Sequence, residues 1–245
     1  MFTRRRLLTA FAATAALGVA GAGRRASAGE RGPVVVELFT SQGCSSCPAA
    51  DRFLAELAGR GDVIALSFHV DYWNYMGWAD PFSRPEYSAR QRHYKKAMGL
   101  RYVYTPQIVV DGAAEAVGTE QATVERLIRE AADRPRLVRP KLAADGMTVT
   151  VDLTARPDAP PAVVCLAVFD RLHATDVARG ENAGRKAVNA HVVRAMPVIG
   201  EWAGEATRLT YTTDALTRER GCAVIVQARG NGPILGAAMI RPPMS

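Results

Sequence analysis

Val34-Val-Val-Glu-Leu-Phe-Thr-Ser-Gln-Gly-Cys44-Ser-Ser-Cys47-Pro48 is the stretch from which the rest of the chain can be read. Val34 to Phe39 is a β-branched, apolar run of strand length, as expected of a buried strand. Thr40 to Gly43 is a turn. Asp51 to Leu57 has helical apolar spacing, with Pro48 acceptable in the first turn, where an N–H would have no partner anyway. The two cysteines therefore stand at a strand-to-helix junction. At the helix N-terminus, unpaired N–H groups and the positive end of the helix dipole stabilise a thiolate on Cys44. Cys47, one turn further in, is placed to attack a mixed disulfide formed at Cys44. A structural disulfide or half of a zinc site would use the same spacing. Zinc, however, needs a second Cys/His pair, and none stands at suitable spacing. The strand–helix context favours redox chemistry.

Outward from this segment, residues 63–69 read as a second strand, 71–82 as a loop and 85–98 as a charged helix. Residues 107–110 read as a third strand, closed by the turn Asp111-Gly112. Residues 119–132 read as a helix with Thr119 as N-cap and apolar residues at 124, 127, 128 and 131. Strands alternating with helices predict an α/β sheet. After Arg134-Pro135 the character changes. Residues 147–153 alternate behind the turn Asp145-Gly146, and further strands are expected at 162–169, 188–194, 207–213, 222–228 and 234–240. About seven short strands predict an all-β, sandwich-like unit. The expected organisation is an α/β domain over 29–135 and a β-sandwich domain over 136–245. Each should have its own core, joined by a protease-sensitive linker at 134–140.

Residues 1–28 carry five of the 31 basic residues and no acid. Thr3-Arg4-Arg5-Arg6-Leu7-Leu8, an Ala/Gly-rich apolar run and the small-x-small site Ala26-Ser27-Ala28 read as a cleavable signal peptide that resembles the twin-arginine type, with an ordinary secretory signal or an uncleaved anchor as the alternatives. The apolar run is shorter than the roughly 20 residues of a membrane span. The mature chain is expected to begin near Gly29 and to work in the periplasm or outside the cell, with no membrane span. Without the leader, 26 basic residues face 24 acidic ones, so the formal +7 does not indicate a nucleic-acid partner. With 48% hydrophobic and 22% charged residues, the 245-residue chain is neither disordered nor a multi-span membrane protein. Four cysteines are too few for a disulfide scaffold.

The opening segment resembles the active-site strand of glutaredoxins, and Thr105-Pro106-Gln107-Ile-Val-Val-Asp-Gly112 resembles their cis-proline loop and following strand. Gly118-Thr119 falls where glutaredoxins begin an anion-binding helix. Residues 34–240 as a whole resemble the secreted bacterial family called domain of unknown function 1223, with Ser67-Phe-His-Val-Asp-Tyr-Trp73 and Arg179-Gly-Glu-Asn-Ala-Gly-Arg185 belonging to that likeness. The resemblance implies a thioredoxin-like N-terminal domain, but no established activity. It implies a cis Pro106 facing the cysteines and a Thr105 backbone free to pair with an extended substrate. The extra stretch around 71–98 and the appended β-unit depart from glutaredoxins and set this chain apart from an enzyme of small thiols alone.

The candidate catalytic residues are Cys44 as nucleophile, Cys47 as resolving thiol, Thr105 and Pro106 on the substrate side, and Glu37. Glu37 lies inside an apolar strand, either buried below the cysteines as a proton acceptor for Cys47 or paired with an arginine. His69 ends the second strand, where it can join Cys44 and Cys47 around a soft metal such as Cu(I), act as an acid–base group, or bond a loop. Asp71 is expected to cap or orient that loop. Tyr72, Trp73, Tyr75, Trp78, Phe82 and Tyr87 are six of the seventeen aromatics, either an exposed surface for polypeptide or packing between the two units. Cys165 and Cys222 are core thiols or a second disulfide. Glu181, Asn182 and Arg185 form a docking surface or close a turn. The expected function is an exported thiol–disulfide oxidoreductase for protein or small-molecule thiols, without a cofactor. A periplasmic copper carrier and a redox-inert binding scaffold are the alternatives.

Overall fold

The computed structural model describes residues 31–242, so the leader read over 1–28 lies outside the described residues. β1 (Val34–Thr40) and β2 (Val63–His69) are parallel, in register from Val34 opposite Val63 to Thr40 opposite His69. They are joined by α1 (Cys47–Ala58), the crossover that a parallel pair requires. α2 (Pro85–Ala97) follows. β3 (Gln107–Val110) then runs antiparallel to β1, and β4 (Ala114–Val117) antiparallel to β3, before α3 (Gln121–Ala132). β1 is buried along its whole length, and apolar except for Glu37 and Thr40, because both its faces are covered. Val34, Val36 and Leu38 pack with Phe53, Leu54 and Leu57 of α1 and with Val124 and Ile128 of α3. On the opposite face, Val35 and Phe39 pack with Tyr87 and Tyr94 of α2. The N-cap of α3 is Glu120 rather than the expected Thr119. The Val117 carbonyl accepts the Glu120 N–H (2.9 Å), so the chain is still turning off β4 at Thr119.

The remaining strands are β5 (Lys141–Asp145), β6 (Thr148–Leu153), β7 (Ala162–Asp176), β8 (Lys186–Ala195), β9 (Val198–Trp202), β10 (Thr207–Thr212), β11 (Arg220–Ala228) and β12 (Ile234–Ile240). The order β12-β11-β7-β8-β2-β1-β3-β4 makes one large sheet, with β9 also paired to β7, while β10-β6-β5 form a second. Val149, Val151 and Leu153 of the small sheet pack on Val164, Leu166, Val224 and Val226 of the large one. This is the expected sandwich-like packing, but one of its two sheets is the extension of the α/β sheet.

The expectation of separate cores is corrected here. β8 lies parallel against β2, with Ser67 opposite Val192. Phe39 and Ile64 share one apolar cluster with Ala167, Phe169 and Ile225. Without β8, β2 would be an exposed edge with unpaired backbone groups. The segment at 134–140 is also packed rather than open. Arg136 is 6% exposed and paired with Asp111 at 2.5 Å, and the N–H groups of Leu137 and Val138 both donate to the Leu235 carbonyl. That segment marks where helices give way to strands, while the core continues across it.

Candidate redox site

Cys44 and Cys47 form a disulfide at the N-terminus of α1, with Cα atoms 5.4 Å apart. The turn before them is held tightly: the Cys44 N–H donates to Ser41 O (3.1 Å) and the Cys47 N–H to Cys44 O (3.3 Å). The N-cap Ser46 makes no side-chain cap bond, and the first turn of α1 carries no acidic residue. Instead Ser46 Oγ lies 3.4 Å from Cys44 Sγ. Both cysteines are closed off from solvent, Cys44 being 1% and Cys47 0% exposed.

The Thr105–Pro106 bond is cis. The Pro106 carbonyl accepts the Gly118 N–H (2.8 Å), and a Cβ on Gly118 would lie 2.9 Å from Ala50 of α1 and 3.1 Å from Pro106. The proline loop is thereby packed onto the helix that carries the cysteines. Trp73 bridges the two sides, with its Cβ against Gly43 and its Nε1–H donating to Thr105 Oγ1 (2.8 Å). Among the described residues, the Thr105 backbone N–H and C=O make no hydrogen bond.

Beneath the turn is a buried polar cluster. His69 Nδ1 and Asp80 Oδ2 are 2.7 Å apart, and Asp80 also accepts the Gln42 N–H (2.8 Å). Burial pushes the Asp80 carboxyl up, but His69 and the N–H groups of Gln42 and Phe82 outweigh it and hold it below the ordinary range. Asp51 lies on α1 one turn after Cys47, on the same face, and accepts the Thr40 hydroxyl (2.9 Å). Burial, opposed by His69 and Thr40, raises its carboxyl to about 6. Ser67 Oγ and His69 Nε2 are buried without a partner among the described residues. A cleft of about 490 Å³, lined by Gln42, Pro48, Asp51, Arg185 and Val188 among others, connects Asp51 to the surface.

Of the two readings of Glu37, the structure shows the arginine pair and not a place below the cysteines; the buried carboxylate on the cysteine helix is Asp51. Glu37 is buried, but it points to the α2 face of β1. There Arg90 binds it in a fork (2.6 and 2.8 Å) and the Tyr94 hydroxyl donates to it (2.7 Å). The cysteine helix covers the opposite face. A legible signal did exist for Asp51. It is an acid in the apolar stripe of α1, four residues after Cys47, beside buried Phe53 and Leu54.

His69 is not brought into a ligand set with the cysteines. Among the described residues, no group of three His, Cys, Asp or Glu side chains is close enough to hold a metal ion. Asp71 accepts the Ser88 hydroxyl at 2.5 Å and fixes the loop to α2. The aromatics of 71–87 are mostly packing residues. Trp78 donates to Gln42 Oε1 (3.2 Å), Phe82 meets His69 edge-on and His173 at a tilt, and Tyr87 is buried. Tyr75, 81% exposed, is the exception. Cys165 and Cys222 are both buried and free, and burial pushes both thiols up. Cys165 lines a separate cleft of about 560 Å³ beside α2, away from the disulfide.

The likeness of this arrangement to known proteins is consistent along the chain. The family profile described as "Protein of unknown function (DUF1223)" matches residues 35–227. A thioredoxin of Methanocaldococcus jannaschii is 32% identical over 96 residues, covering 38% of this chain and 92% of that protein. A crystal structure of a protein from Agrobacterium tumefaciens superposes with a TM-score of 0.76 at 32% identity, over 88% of this chain and 97% of that one. HBP35 of Porphyromonas gingivalis shares the fold at 14% identity, with a TM-score of 0.59 over 88% of this chain and 78% of its own. No helix among the described residues is long and apolar enough to cross a membrane.

Proposed function

The chain belongs to the DUF1223 family, and we propose that it is an exported thiol–disulfide oxidoreductase acting on protein or small-molecule thiols. The observation that carries this reading is the Cys44–Cys47 pair at the N-terminus of α1, with the cis Thr105–Pro106 loop packed on the same helix. A substrate thiolate attacks Cys44 Sγ, the bond to Cys47 breaks, and its electron pair leaves on the Cys47 sulfur, which takes up a proton. A second substrate thiolate then attacks the mixed disulfide and releases Cys44 as thiolate. The substrate dithiol is oxidised by two electrons and the 44–47 pair is reduced. In the reverse direction Cys47 resolves the mixed disulfide and must lose its proton. Asp51, buried one turn away and reached from solvent by the cleft beside it, is the acceptor for that proton. The unpaired Thr105 backbone offers an extended substrate segment a short strand-like contact. The leader read over residues 1–28 supports a periplasmic or extracellular setting, where such disulfides persist.

The test is covalent trapping. Cys47→Ser should attack an intermolecular peptide disulfide through Cys44, releasing one peptide thiol and accumulating the Cys44–peptide mixed disulfide, which dithiothreitol then releases, while Cys44→Ser should accumulate none. A 44–47 pair that neither glutathione nor dithiothreitol reduces at any ratio of reduced to oxidised reagent would overturn the reading.

A further inference from the structure

The β7–β8 connection, residues 177–185, reaches across from the β-rich half onto the redox turn. It is a braced loop: the Val177 N–H donates to Arg185 O (3.0 Å), the Gly184 N–H to Val177 O (2.8 Å) and the Ala183 N–H to Gly180 O (3.1 Å). Gly180 and Gly184 both take φ of +76°, where a side chain would be strained. A Cβ at Gly180 would also lie 3.1 Å from Met76 O and 3.2 Å from the Trp78 side chain, so the loop is seated on the aromatic segment. Its tip then makes three bonds to the cysteine turn. The buried Asn182 amide donates to both Gln42 O and Cys44 O, each at 2.9 Å, and the Glu181 carboxylate accepts the Ser45 N–H at 3.1 Å. The Arg185 guanidinium is turned to Asn182 Oδ1 (3.3 Å).

We propose that Asn182 and Glu181 are positioning residues of the redox pair: Asn182 latches the Cys44 turn shut, and Glu181 sets its redox balance by opposing a thiolate at Cys44. This rests on the oxidoreductase reading above. The N-terminus of α1 stabilises negative charge because its N–H groups lack partners and its dipole is positive there. The helix has no acid of its own in that turn. Glu181 supplies one from the other half of the chain and takes up the Ser45 N–H beside Cys44. A carboxylate there competes with the thiolate that reduction creates. It therefore favours the disulfide and makes the pair harder to reduce. Asn182 acts differently, by holding the turn under the loop and keeping Cys44 Sγ out of solvent. Asp51 lies behind Cys47 and Arg52 beside it on α1; neither bonds the loop tip.

The experiment uses the full chain with Glu181→Gln, which keeps an acceptor oxygen for Ser45 but removes the charge, and Asn182→Ala, which removes the latch. The potential of the 44–47 couple is measured against glutathione, together with the pH midpoint of Cys44 alkylation in the reduced protein and the rate of disulfide reduction by dithiothreitol. For E181Q, an exposed charge near a helix end predicts a factor of about 2–5 in the thiolate equilibrium. At 29.6 mV per tenfold for a two-electron couple, the potential should rise by about 10–20 mV. The alkylation midpoint should move down, and both shifts should shrink at high salt. For N182A, reduction by dithiothreitol should be roughly tenfold faster, in line with the ~1.4 kcal/mol that a factor of ten in rate represents. If the wild-type pair cycles normally while E181Q leaves the potential and midpoint unmoved and N182A leaves the rate unmoved, the positioning roles are refuted and the oxidoreductase reading stands. If the wild-type pair does not cycle, both fail.

Discussion

Replacing Asp51 with Asn should make the oxidised protein more stable at pH 8 and lose that advantage in acid. Asp51 is 8% exposed, and burial raises its carboxyl from 3.8 to about 6 in the folded chain. Above pH 6 the folded state therefore holds an ionised carboxylate that the unfolded state solvates better. At 1.36 kcal/mol for each tenfold, the ionised group costs about 3 kcal/mol of stability. Between pH 6 and 3.8 the folded protein takes up the proton before the unfolded chain does, so the cost shrinks. Below 3.8 both states are protonated and the cost is gone. Asn keeps an oxygen to accept the Thr40 hydroxyl and carries no charge. D51N should thus exceed wild type by about 2–3 kcal/mol at pH 8 and by about zero near pH 3.5, the range reflecting the usual context dependence of buried charges. Urea unfolding followed by circular dichroism at steps between pH 3.5 and 8, with equal slopes for both proteins, measures the difference. The same substitution should slow resolution of a Cys44 mixed disulfide above pH 6, where wild type has its proton acceptor ionised. A D51N protein no more stable than wild type at pH 8 would refute the buried-acid assignment. A stabilised variant with unchanged resolution kinetics would leave the burial intact and remove Asp51 from the chemistry.

Glu37→Gln should behave in the opposite way, destabilising the chain by about 3–5 kcal/mol because Arg90 is left buried without its counter-charge. Its 44–47 potential should not move; a shifted potential with unchanged stability would return Glu37 to the redox site. Arg136→Ala should unpair Asp111 and loosen the segment that leads into β5. A protease that cuts before apolar residues should then cleave at Leu137 or Val138, which wild type protects; equal protection in both proteins would show that the Leu235 bonds alone hold the segment.

The strand–cysteine–helix segment was legible because its signals are local. A β-branched run, a turn, a C-x-x-C and an apolar stripe with proline in its first turn each constrain the backbone within a few residues. β6, β7, β8, β10, β11 and β12 were legible for the same reason, whereas β4, β5 and β9 are short, carry weak patterns and were not read. The polar cluster below the cysteines was not. Asp51, His69, Asp80 and Gln42 come from one helix, one strand and two loops, and only packing decides which faces meet. Glu37 shows the limit most clearly. Alternation along β1 places it with Val35 and Phe39, but it does not say which side of the sheet the cysteine helix covers.

The sequence by itself determined the thioredoxin-like start, the cysteine pair at a helix N-terminus and the change from mixed to all-β structure near residue 135. Tertiary structure alone decided that the two halves share one sheet, because the open side of β2 had to find a strand and β8 was the one in reach. That pairing brings the β7–β8 loop over Cys44 and places Glu181 and Asn182 on its turn. Contacts 136 to 140 residues apart in the chain leave no periodicity in the sequence. They arise only when backbone groups left unpaired by local structure are satisfied from elsewhere in the fold.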